Sequence, residues 1–471
     1  MRLPETIQPV RMRRVALVAP RDDLRAALVT VACAGTVQLD RPSDTAAEGP
    51  GASGPAGQVL RRLHANPARP ALTTEPPDVE ELARAGRTDV VAGEAQIEEY
   101  AGGAVEHGEV AALIGWSPEP GMAVLSERLA GHGAALVPLS TPRGVDPPTL
   151  LRPGGEVRGS FSTLVSTYGT VPYPDVDPTP LAGAAYVLMF GMMFGDAGHG
   201  LLLLVAAALL RAGLPRRSHT LRRAWPFVGA AGLASIVFGA LYGEFFGPTG
   251  VLPVLWVAPL DDPVRLLAAA VAVGAVLLAA AYGVAVVNRW REGGPRLALY
   301  ASSGVAGLAV FLGLGALAGG LYLGSVPLTV AGAVVAAAGL VLAALGFHAE
   351  AGGGAGGAVQ AGVELFDTVI RLGSNLFSFA RLAAFGLTHA ALGWLVWSGT
   401  TALAGAGFLA TVAGVLVFVV GNALAFALEA LVAGIQALRL EFYELFSRIF
   451  AGEGEPFRPW HLPLTSIEEE T

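Results

Sequence analysis

After residue 180 or so, the chain becomes a succession of apolar runs of transmembrane length, and this limits its fold more than any other feature. In lipid every backbone N–H and C=O must be satisfied within the protein, so runs of this kind become helices. Up to that point the sequence is mixed, charged and punctuated by Pro and Gly. The overall composition reflects the apolar half: 53% of the 471 residues are hydrophobic and 14% charged, against about 25% charged in soluble domains. The sequence therefore predicts an α-helical polytopic membrane domain of about eight transmembrane helices, the last two long and tilted, behind a small N-terminal α+β cytoplasmic domain. The division is expected between 1–175 and 176–471.

Loop charges set the expected topology. Arg211, Arg216, Arg217, Arg222 and Arg223 crowd one link between apolar runs, and Arg289, Arg291 and Arg296 another, whereas the link with Asp261 and Asp262 has no arginine until Arg265. The first two links are expected inside and the third outside. The opening MRLPETIQPVRMRR has no apolar core of a cleavable signal, which keeps the head on the cytoplasmic side of a cell-membrane protein. The stretch 181–210 must then cross an even number of times, and it reads as a tight hairpin broken at Gly195-Asp196-Ala197-Gly198. Six spans follow, at 225–246, 264–289, 298–322, 326–347, 362–399 and 404–450, which return the C-terminus to the cytoplasm. As single helices the last two would be about 57 and about 70 Å long, against a hydrocarbon core of roughly 30 Å, so they must tilt or project.

Several function classes are excluded. All 30 basic residues are arginine, so no P-loop lysine exists to hold ATP phosphates. The glycine-rich 352–357 reads as a flexible link, because no strand precedes it and no GK[ST] follows. A net charge of −8 without a basic stripe argues against a nucleic-acid partner. The single cysteine, Cys33, rules out an intrachain disulfide. No cofactor site is indicated, and no metal site is assigned.

Arg381 lies inside the apolar stretch 363–397. A guanidinium keeps its proton, and at the bilayer centre it costs about 2.5–3.5 kcal/mol even on a lenient scale. On a helix Asp367, Ser374, Arg381 and Thr388 recur every seven residues, with Ser378 and Arg371 beside them. A second stripe of Asn422, Glu429, Gln436 and Tyr443 marks the final span, with Arg439 three residues beyond Gln436. Two facing polar stripes are the form expected of an ion pathway, while a snorkelling or structurally paired arginine is the alternative for Arg381.

The run SNLFSFARLAAFGLTHAAL (374–392) resembles the arginine-bearing helix of the membrane stator subunit of V/A-type rotary ATPases, subunit a or subunit I, with Arg381 followed eight residues later by His389. FGMMFGDAGHG (190–200), PPTLLRPGG (147–155), YGTVPYPDVDPTP (168–180) and LEALVAGIQALRLEFYE (428–444) are similar to further stretches of that family. The resemblance implies a stator that forms two proton half-channels against a rotating proteolipid ring and so couples proton movement to ATP hydrolysis or synthesis on a separate soluble sector. Peripheral-stalk and central-stalk or collar subunits are the other implied partners, and the ion is H⁺, with Na⁺ open. Arg381 would discharge the ring carboxylate and block a leak, with Arg439 in support. Glu429 would relay protons or pair with an internal arginine, and His389 would relay or hydrogen-bond within the bundle. Ser378 and Gln436 lie on the same stripes. Asp196 and His199, in the hairpin break, suit backbone capping better than proton or metal contact. Glu244 could line the outer half-channel, cap a helix or lie exposed to solvent, and Asp367 suits a helix N-terminus or the cytoplasmic half-channel.

In the head, 14–19, 22–31 and 36–39 suggest one β-α-β unit and 110–115, 122–131 and 134–139 another, together a four-stranded sheet. Between them 41–57 reads as loose, and short helices are expected at 59–64 and 79–87. The insertion is too short for the long coiled coil and distal lobe usual in the resembled family, which leaves contact with peripheral stalks unassigned. An independent secondary transporter is the rival reading, but it usually shows internal repeats and none is visible.

Overall fold

The computed structural model describes residues 4–40, 54–142, 144–152, 154–214, 219–404, 407–450 and 452–465; most of the stretch expected to be loose, and Arg216 and Arg217, lie outside the described residues. The chain divides into two compact units, Pro9–Arg152 with Gly454–Thr471, and Met1–Gln8 with Pro153–Glu453.

The smaller unit runs β1 (Met12–Pro20), α1 (Leu24–Ala34), β2 (Gln38–Leu39), α2 (Pro55–Leu63), α3 (Val79–Arg84), α4 (Thr88–Gly102), β3 (Val105–His107), β4 (Val110–Pro118), α5 (Met122–Ala130) and β5 (Ala135–Leu139). The expected strands form, but the pairing within each β-α-β unit does not. The sheet order is β2-β4-β1-β5 with β3 on the free part of β4, five strands in place of four, and every pairing is antiparallel. Strand length decides this: β1 and β4 match over nine residues, from Met12↔Pro118 to Pro20↔Val110, whereas β2 offers two. A long ladder between two nine-residue strands outweighs a short parallel neighbour. Val15, Leu17 and Ala19 of β1 turn inward onto Ala27, Leu28 and Val31 of α1. Trp460 and Leu462 of the C-terminal stretch complete this core.

The larger unit is helical: α6 (Glu156–Tyr168), α7 (Thr179–Met193), α8 (Ala197–Arg211), α9 (Trp225–Tyr242), α10 (Pro263–Tyr300), α11 (Val305–Leu323), α12 (Val326–Glu350), α13 (Gly354–Ser378), α14 (Ala380–Leu403) and α15 (Phe408–Leu440), followed by a π-helical turn, Glu441–Phe446. Among the described residues six helical runs are long and apolar enough to cross a membrane, with 354–403 and 408–449 each taken as one run. The apolar α7 and α8, 15 residues each, reach about 22 Å apiece and form the hairpin that the sequence suggested. Three span boundaries depart furthest from expectation. α10 continues to Tyr300 through a kink at Gly294, whose φ of 74° lets the chain turn before Pro295, so the next helix starts at Val305 and not at 298. The run expected at 362–399 begins at Gly354 and is interrupted at Phe379.

Small residues bring α8 and α9 into backbone contact. A Cβ on Gly239 would lie 2.2 Å from the Ala197 nitrogen, and one on Gly232 would lie 2.9 Å from the Gly200 oxygen. Without Cβ atoms the two helices can approach to this distance, the usual route to tight association where no hydrophobic effect operates between helices. Asn288 of α10 makes a second tie. Its Oδ1 accepts from the Val176 N–H at 3.0 Å and its Nδ2 donates to the Ile449 carbonyl at 3.2 Å, so one fully buried amide joins three segments.

Candidate functional site

The chain breaks between α7 and α8 so that Asp196 can cap α8. Its Oδ1 accepts from the N–H groups of His199, at 2.9 Å, and Phe246, at 3.0 Å, and its Oδ2 accepts from Gly247 N–H at 2.7 Å. Phe246 and Gly247 both have left-handed backbones, with φ of 51° and 86°, which turns their N–H groups toward the carboxylate. For a phenylalanine that conformation costs about 1–2 kcal/mol; three N–H donors on one buried carboxylate offset it. The same turn sends the Glu244 carbonyl back to Ala197 N–H at 3.0 Å, so the loop after α9 is fastened onto the start of α8.

Four more ionisable side chains meet there. His199 is 2% exposed, and neither ring nitrogen has a hydrogen-bond partner; the Asn422 backbone is near but out of hydrogen-bond geometry. Its Nδ1 lies 4.0 Å from Asp196 Oδ1, and its ring centroid 5.6 Å from that of His389. His389 of α14 contacts the Glu429 carboxylate of α15 through Nδ1, and its Nε2 lies 3.9 Å from Glu244 Oε2. One imidazole thus stands between two carboxylates. Glu244, Asp196 and both histidines are buried, and the rings of Phe194, Phe246 and Phe426 enclose the group. Glu244 is therefore an inward-facing acid and not an exposed cap, and Glu429 pairs with a histidine and not with an arginine.

A second group forms around the π-helical turn. Glu444 is buried beside the Ser378 hydroxyl, with the guanidinium groups of Arg381, Arg439 and Arg448 around it. The Asn375 amide, oriented to satisfy its neighbours, donates to Glu444 Oε2 at 3.0 Å and accepts from Arg448 at 2.6 Å. Glu441 is fully buried, and neither of its carboxylate oxygens has a hydrogen-bond partner. Seven-residue spacing did not single out Glu444: the wider turn from Glu441 to Phe446 rotates it out of the α-helical register.

Arg381 opens α14 and is partly exposed; among the described residues it makes neither a hydrogen bond nor an ion pair. His389 lies eight residues on, about 12 Å along the helix, and Glu429 and Glu444 are separated by about 22 Å along the final helix. The antiparallel packing of α14 and α15 sets His389 opposite Glu429, and further along the same pair of helices it sets Glu444 beside Ser378 and Arg381. The other expected residues lie outside both groups or at their edges. Arg439 is exposed, Gln436 has a buried Oε1 without a partner, and Asp367 pairs with Arg371 at 2.5 Å on an exposed face.

The profile of the V-type ATPase 116kDa subunit family matches residues 122–249, the segment that carries Asp196, His199 and Glu244. The chain is 31% identical to the A-type ATP synthase subunit I of Aeropyrum pernix over 365 residues, covering 68% of this chain and 51% of that one. The chain belongs to the V-type ATPase 116kDa subunit family. Other members give a consistent picture: the Thermococcus kodakarensis A-type ATP synthase subunit I is 27% identical over 74% of this chain and 54% of its own. A Treponema pallidum V-type ATP synthase subunit I is 46% identical over 91 residues, 18% of this chain and 19% of that one. The chain spans about half the length of the archaeal relatives it matches.

Proposed function

We propose that the chain is the membrane stator subunit of a V/A-type rotary ATPase. It would form two proton half-channels against a rotating proteolipid ring and couple proton movement to ATP hydrolysis or synthesis on a separate soluble sector. Both termini would face the cytoplasm, with the compact head meeting the peripheral and central stalks. The observation that supports this reading is the pair of acidic groups on the last two helices, His389 with Glu244 and Glu429 in one and Glu444 beside Arg381 in the other.

The residues divide the work by charge. His389 can accept a proton at one ring nitrogen from the carboxyl on that side and release one from the other nitrogen to the opposite carboxylate, which moves a proton through a group that water-free packing would otherwise seal. Arg381, permanently charged and partly exposed, favours the ionised form of a ring carboxylate brought beside it, so that carboxylate loses its proton there. The same charge repels a proton crossing directly between the two groups. Arg381→Ala, Arg381→Gln and Arg381→Lys in the assembled complex should leave the chain in the membrane and abolish ATP-driven proton uptake by vesicles. Coupled pumping retained in Arg381→Ala would overturn the assignment.

A further inference from the structure

We propose that Asp196, His199 and His389 form a binding site for a divalent transition cation of the zinc type. Their ligating atoms all lie within 4.8 Å of one another, and all three side chains are buried. Tetrahedral zinc with bonds of about 2.0–2.2 Å needs its donors about 3.4 Å apart, so small side-chain rotations suffice. The donor set selects the metal: two imidazoles and a carboxylate suit zinc and its neighbours, while calcium and magnesium require a shell of oxygens.

His199 supplies the independent argument. It is 2% exposed, both of its ring nitrogens lack a hydrogen-bond partner, and it faces Asp196 and His389. A buried imidazole in that condition is costly unless something else satisfies it. Asp196 keeps its three backbone donors when it adds a metal bond, and these hold the carboxylate in place as an outer shell does in established metal sites. Glu244 Oε2, 3.9 Å from His389 Nε2, is in position for the fourth ligand. A cation there would engage His389 and take it from proton exchange. That consequence rests on the half-channel reading; the binding does not.

The test uses the full chain purified in detergent, titrated with zinc alone by calorimetry and with cobalt(II) as a spectroscopic substitute. One equivalent is expected to bind, with the visible bands of tetrahedral cobalt. His389→Ala and His199→Phe should each weaken binding at least tenfold, while His348→Ala in α12 should not. His199→Phe keeps an aromatic ring against Phe194, so its melting temperature checks that the fold survives. Absence of one-to-one binding, or binding unchanged in folded His199→Phe, overturns the site. Zinc is also expected to slow ATP-driven proton uptake by the assembled complex. Binding without slowing leaves the site in place and counts against the half-channel.

Discussion

His389 is held by opposite demands on its two nitrogens, because Glu429 engages one and Glu244 stands near the other. Removing one carboxylate interrupts exchange on that side without touching Arg381. Glu429→Ala should therefore slow proton pumping by about a hundredfold, the low end of what a positioned acid–base group contributes, while Arg381 variants lose it entirely; an unchanged rate in vesicle acidification would remove Glu429 from the path. Asp175 carries a different charge problem. It is fully buried, and burial, reinforced by the neighbouring Glu292 and only partly opposed by Arg289 and Arg291, pushes its carboxyl up to about 8. An acid raised in the folded state binds its proton more tightly there than when unfolded, so its contribution to stability is full in acid and is lost as pH rises toward the folded value. The melting temperature of the purified chain should fall between about pH 4 and about pH 8, and Asp175→Asn should flatten that fall. A slope that Asp175→Asn leaves unchanged would assign the effect elsewhere. The identities of the ionisable residues were legible in the sequence as charges out of place in apolar runs. Their meeting was not, since Asp196, Glu244, His389 and Glu429 come from separate helices and no local spacing encodes how those pack.

At the scale of elements, hydropathy located every long helix, because lipid leaves the backbone no alternative. It did not locate the interruption at Phe379 or the π-helical turn, both of which change register without changing composition. The sheet order was hidden for another reason: strands can be read from short windows, but their pairing depends on contacts between distant segments, and the β1–β4 ladder joins residues on either side of the whole insertion. Glycines between helices test how far packing governs the site. Gly239→Ala would place a methyl group 2.2 Å from the Ala197 nitrogen, and the same N–H bonds the Glu244 carbonyl. We expect a loss of about 1–3 kcal/mol, the usual cost of forcing atoms into a packed interface, read as a lower melting temperature. Pumping should weaken with it, because the strain falls on the turn that presents Glu244. Gly229→Ala, on the same helix but 3.5 Å from the Ala207 Cβ, should change neither.

At the scale of the whole molecule, the smaller unit depends on chain from both ends of the sequence. Gly454–Thr471 belongs to the same unit as Pro9–Arg152, and Trp460 is fixed in its core, with its indole N–H donating to Gln96 at 2.9 Å and its backbone N–H to the Val37 carbonyl at 2.9 Å. Leu72 N–H donates to the Pro463 carbonyl at 2.9 Å, and Thr465 N–H to the Leu72 carbonyl at 2.8 Å, so the tail also pins the insertion. That insertion holds α2, α3 and α4, the longest of 15 residues, about 22 Å. No helix among its described residues is long enough for an extended arm. On the stator reading, a head without such an arm would offer a small surface to resist torque, so its own rigidity would matter more. Trp460→Ala should cost the unit about 3–5 kcal/mol, the usual penalty for emptying a large aromatic site. Ending the chain after Glu453 should cost more, because it also removes the ties to Leu72. Limited proteolysis gives the readout: cleavage should appear early within 55–139 in the shortened chain, while the helical unit from Pro153 stays intact. Equal resistance of the smaller unit in both proteins would show that the tail is not part of what holds it together.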